Sequence, residues 1–133
     1  MGLVISHGAF EGGYIRFNIF RADILKSIGG SFPPHNNPQL KSEQWYWRAD
    51  GKVDDKFNRK NYLGLYIFLC HSDCDGEIKL CDVKLLKKEL KSILPLIEEY
   101  ALSNDKPELV EMAETLISGC ESAITDNQSL YFY

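Results

Sequence analysis

The sequence predicts an α+β fold, a small mixed sheet of three or more strands covered by three helices. Three observations predict it. Short apolar runs rich in β-branched and aromatic residues stand at both ends and in the middle of the chain: Gly2–Ser6, Leu63–Cys70 and Ser129–Tyr133. Apolar residues recur at three- and four-residue spacing in three longer segments. A chain of 133 residues with 44% hydrophobic and 26% charged residues has room for one core, so residues 1–133 form a single domain, with a long irregular insert at about 31–61.

Each element follows from its residues. GLVIS at 2–6 is the first strand, ended by His7-Gly8. From Glu11 to Ile28 the spacing is helical: Phe17, Phe20, Ile24 and Ile28 form an inner stripe, Arg16, Asp23 and Lys26 fall opposite, and Gly29-Gly30 stops the helix. Pro33, Pro34 and Pro38 forbid regular structure at the start of the insert, and Asp50-Gly51 suggests a hairpin between Gln44–Ala49 and Lys52–Phe57. LGLYIFLC, Leu63 to Cys70, is apolar on both faces and is expected to be a central, covered strand. Asp82 is the expected N-cap of the second helix, whose inner stripe is Val83, Leu86, Leu90, Ile93 and Ile97 and which Pro95 should kink or split. Pro107 opens the third helix, which runs to about Ile124 with Leu109, Ala113, Leu116, Cys120 and Ala123 inward. SLYFY, Ser129 to Tyr133, is a last strand that must join the sheet to cover its large side chains.

Composition excludes several classes. The values are those of a globular chain, not a disordered or fibrous one. The longest apolar run, Leu63 to Cys70, is too short to cross a bilayer, and Met1 to Phe10 lacks the basic and apolar regions of a signal peptide. Charge is lopsided: residues 1–62 carry net +3 and twelve of the sixteen aromatics lie within 1–68, whereas residues 63–133 carry net −7. A sequence pI near 5.3 argues against a partner made of long nucleic acid but leaves room for a local pocket that takes a small anionic ring compound. The four cysteines, Cys70, Cys74, Cys81 and Cys120, form no CxxC pair, so free thiols in a reducing cytoplasm are expected, with Cys74 the one inside a polar cluster.

Three constellations could carry chemistry. HSDCDGEI, His71 to Ile78, packs an imidazole, a hydroxyl, a thiol and three carboxylates behind an apolar run. Its spacing imitates a calcium loop, but histidine is a poor ligand for a hard cation and the preceding segment reads as a strand. A divalent transition metal on His71, Asp73 and Asp75, with His7 near, is the other metal option; beyond it no cofactor is expected. The plain alternative is a tight turn in which Asp73 and Asp75 bond backbone amides and Gly76 takes positive φ. The second constellation is His7 with Tyr14, Asn18 and Arg21, the last three on one helix stripe; Arg21 either pairs with Asp73, Asp75 or Glu77, or awaits a carboxylate or phosphate. The third is Trp45, Tyr46, Trp47 and Arg48 with Lys52, Lys56, Arg59 and Lys60, which suits a base stacked on a ring with phosphates held by cations, or a loop pinned by its tryptophans. P-loop, GxGxxG, GxSxG and HExxH motifs are absent.

SHG at Ser6–Gly8 followed by Gly13, Tyr14, Phe17, Asn18 and Arg21, then HSDCDGEI and an aromatic C-terminal strand, resembles a family of small proteins common in tailed phages and prophages. The resemblance covers nearly the whole chain except Phe32 to Tyr62, and it brings no assigned catalytic residue. It implies a cytoplasmic accessory protein of the kind that counters host defence. Three functions are expected on this basis. One is a module that sequesters a nucleotide-derived immune signal, with Trp45 and Trp47 on the base, Arg21, Arg48 and the other Lys/Arg of 48–60 on phosphate, His7, Tyr14, His71, Asp73, Asp75 and Glu77 on the ribose hydroxyls, and Asn18 also binding the ligand. Another is a hydrolase that cleaves a phosphoester, with His7 and His71 as acid and base or a metal at His71. The third is an inhibitor of a host protein through Trp45–Trp47. A homo-oligomer would add pocket walls to so small a domain.

Overall fold

The computed structural model describes residues 2–30 and 60–133, and the fold is α+β. Strands β1 (Gly2–Ile5) and β2 (Phe10–Gly13) lead into helix α1 (Tyr14–Ser27); then come α2 (Leu63–Cys70), β3 (Gly76–Ile78), α3 (Leu80–Ser103), α4 (Pro107–Thr125) and β4 (Leu130–Phe132). The four strands lie in the order β2-β1-β4-β3 and every pairing is antiparallel, so the sheet is not mixed. Leu3, Ile5, Ile78, Leu130 and Phe132 are buried on one face, where the helices pack; Glu11, Glu77, Tyr131 and Tyr133 stand on the other, in solvent.

Four expectations are corrected. LGLYIFLC is not a central strand but helix α2. Both readings bury Leu65, Phe68 and Leu69, and a short run that is apolar on all sides carries no period to separate them. Packing decides it: a Cβ on Gly64 would collide with the backbone of Leu86, so α2 and α3 approach closely only because residue 64 lacks a side chain. The central strands are β1 and β4 instead. The first helix starts at Tyr14, not Glu11, because SHGA forms a hairpin turn. His7 and Gly8 both have positive φ, 61° and 71°, and Ala9 N–H donates to Ser6 O at 3.2 Å, the tight turn whose hand matches strand twist. Asp23 is buried, not solvent-facing. Asp82 is not an N-cap; Lys79 holds that position, and Asp82 sits in the first turn, where its charge still suits the helix dipole.

The inner stripes of α1, α3 and α4 are buried as expected. Gly29, with φ 86°, ends α1, and Gly30 N–H returns to Leu25 O at 2.9 Å. Pro95 does not split α3. It and Lys91 are exposed, so the carbonyl that loses its partner lies on the solvent side of the helix. The hairpin expected at Gln44–Ala49 and Lys52–Phe57 lies outside the described residues.

Candidate functional site

The HSDCDGEI loop folds around the His71 ring. The imidazole stacks on Phe132, centroids 4.0 Å apart at 27°. Its Nδ1 lies 2.9 Å from Ser72 O and its Nε2 3.0 Å from Glu77 O. Gly76, at φ 100°, passes so close that a Cβ there would come 3.1 Å from the ring. His71 therefore clasps its own loop to the end of β4. The Ser72 hydroxyl reaches Asp75 Oδ1 at 3.2 Å, and Asp73 meets Asn18 Nδ2 at 3.5 Å. Glu77 is exposed on the open sheet face opposite Tyr131. Among the described residues no three His, Cys, Asp or Glu side chains gather closely enough to hold a metal. A metal on His71 would have to take a ring nitrogen from one of these carbonyls.

Arg21 serves the helix that the sequence disguised as a strand. It is 7% exposed and its Nη1 donates to Phe68 O, Leu69 O and His71 O at 3.3, 3.1 and 2.6 Å, carbonyls at the C-terminal end of α2. Nη2 donates to Asn18 Oδ1 at 2.7 Å, and the guanidinium lies 4.4 Å from the Phe17 ring centroid. Burial lowers its pKa to about 10, with the charge of Asp73 acting the other way. Arg21 thus pairs with backbone oxygens rather than with Asp73, Asp75 or Glu77. At the other end of α2, Glu89 Oε2 and Oε1 accept the N–H groups of Gly64 and Leu65, both at 3.3 Å. A buried carboxyl group at the N-terminus and a buried guanidinium at the C-terminus thus bond the two ends of α2. Tyr14 packs half-buried against the core.

His7 occupies a third place. Tyr131 N–H donates to Ser6 Oγ at 2.9 Å, and that hydroxyl lies 2.8 Å from His7 Nδ1. His7 Nε2 lies 2.9 Å from Gln128 Oε1 and 3.5 Å from Asp126 Oδ2. This chain ties the β1–β2 turn to the segment entering β4, whereas the His71 ring stacks on Phe132 and bonds its own loop, so the two histidines have separate sets of partners. Trp45, Trp47 and Arg48 lie outside the described residues.

A cavity elsewhere involves none of these side chains. It measures about 540 Å³ and lies between α1 and the start of α4. Ile15, Ile19, Phe20, Leu109 and Met112 make its apolar wall. Ile15 and Ile19 are 78% and 51% exposed. At its polar end Lys106 Nζ bonds both oxygens of the buried Asp23, at 2.9 and 3.0 Å, and this bond raises the Lys106 pKa. Arg16 forms another part of the wall; among the described residues it makes no ion pair. The sequence held one signal for this groove: Ile15 and Ile19 are large aliphatic residues four apart, outside the stripe that α1 buries.

Comparison with protein-family models, with curated proteins and with solved structures returns no match. The site is read from its own geometry.

Proposed function

We propose that the protein is a binding module that holds a small nucleotide-like ligand in the groove between α1 and α4. The cavity carries this reading: about 540 Å³ is within the range of roughly 300–1,000 Å³ typical of small-molecule sites. Ile15 and Ile19 leave aliphatic surface in water, and a planar base laid on them recovers that surface. Arg16 offers a guanidinium without an ion-pair partner among the described residues, suited to a phosphate. Glu108 offers a carboxylate to ribose hydroxyls. Holding rather than cleaving is supported by the histidines: neither lines the cavity, and the ring nitrogens of both have hydrogen-bond partners elsewhere. With the phage resemblance, the role is sequestration: a protein that binds a nucleotide signal without consuming it lowers the free concentration of that signal and blunts host defence.

Isothermal calorimetry with AMP and ADP tests this on wild type and Ile19→Glu, a substitution at an exposed position that spares the core. Saturable binding is expected, weakened by about tenfold or more in the variant, with ligand recovered intact after heat denaturation. No binding of either nucleotide, or equal binding by the variant, overturns the reading. Recovery of hydrolysed ligand replaces the binding module with an enzyme.

A further inference from the structure

A second hollow of about 150 Å³ adjoins this cavity, lined by residues of α4 and β2, and the two share Arg16, Glu108 and Met112. Their walls differ. The first is mostly aliphatic and aromatic; the second adds Glu11, Glu111 and Thr115. The stem of Arg16 runs over Gly12, where a Cβ would lie 3.4 Å from its Cδ. A cation with no ion-pair partner among the described residues thus stands at the neck between an apolar chamber and a polar one.

Resting on the reading above, we propose that the groove takes a nucleotide sugar: a base in the apolar chamber, a bridging diphosphate at Arg16, and a second, uncharged sugar in the polar chamber. A guanidinium binds phosphate oxygens in pairs, so the diphosphate belongs at the neck. Beyond it, Glu11 and Glu111 accept hydrogen bonds from vicinal hydroxyls and Thr115 adds a donor and acceptor. The same carboxylates repel a third phosphate. Of the extended nucleotides, the groove therefore selects against triphosphates and for a diphosphate that ends in a hydroxylated ring.

ADP-glucose, ADP and ATP differ only in the group carried by the second phosphate, which makes them the probes. Calorimetry on the whole protein should rank ADP-glucose above ADP by about tenfold and ADP above ATP. Glu111→Gln should remove the preference for ADP-glucose over ADP; Arg16→Gln should weaken all three. Equal binding of ADP and ADP-glucose, or a preference that survives both Glu111→Gln and Glu11→Gln, overturns this inference while ADP binding sensitive to Ile19→Glu still upholds the groove. Binding of spermidine in place of ADP-glucose, lost in Glu111→Gln, marks the second chamber as a cation site and overturns it as well.

Discussion

Arg21 is the residue whose environment departs furthest from what its chemistry alone suggests. An arginine among phosphate-binding candidates is instead spent on three carbonyls that end α2, and its Nε is buried with no partner among the described residues. Hydrogen bonds to a charged donor are worth more than neutral ones, so Arg21→Met should cost about 3 kcal/mol in urea unfolding, through α2 rather than through any ligand. A variant as stable as wild type would mean that the three bonds are replaced by solvent. Glu89 gives a pH signature. Burial raises its pKa above 4.5, and the bonds from Leu65 and Gly64 offset only part of that. The folded chain therefore binds this proton more tightly than the unfolded one. Glu89's contribution is fully present below its unfolded pKa and is lost as pH rises through the folded value. Relative to Glu89→Gln, wild type should lose stability as pH rises above about 4.5 and through the raised pKa of Glu89; a difference independent of pH contradicts this.

At the scale of the element, the lesson of the sequence lies in α2 and the first hairpin. The stripes of α1, α3 and α4 were legible because long amphipathic segments repeat their pattern several times: Phe17, Phe20 and Ile24, or Leu109, Ala113 and Leu116, have one face each. LGLYIFLC has no such face. Its state depends on Gly64 lying against Leu86 and on Glu89 and Arg21 closing its ends, contacts that come from 22 to 50 residues away along the chain. The His7-Gly8 turn was missed for a local reason: tight hairpins favour Asn-Gly or Asp-Gly, and a histidine in the left-handed region is uncommon. Gly64→Ala should destabilise the fold by about 2 kcal/mol, since α2 and α3 must part to admit a methyl group, and the loss should appear as a lower urea midpoint. An unchanged midpoint would show that the two helices can separate freely.

For the whole molecule, the placement of the site was less legible than the fold. Sequence neighbours such as His71, Asp73 and Asp75 share a loop that meets α1 through Arg21 and Asn18, but its other contacts are to itself and to β4. The groove exists only once α1 and β2 are laid beside α4, joining Arg16 and Ile19 to Lys106, Glu108 and Met112 across some ninety residues of chain. No periodicity records such a gap between elements. Only the exposed Ile15 and Ile19 hinted at it. Among the described residues no helix is long and apolar enough to cross a membrane, so these isoleucines do not belong to a spanning helix. The central claim is that ligand sits against them. Methyl NMR of Ile15, Ile19 and Met112 during titration with ADP tests it most directly. The account predicts that these three signals move together and saturate, while the Ile78 methyl beside the His71 loop stays still. Movement at Ile78 with Ile15 and Ile19 unmoved would contradict it.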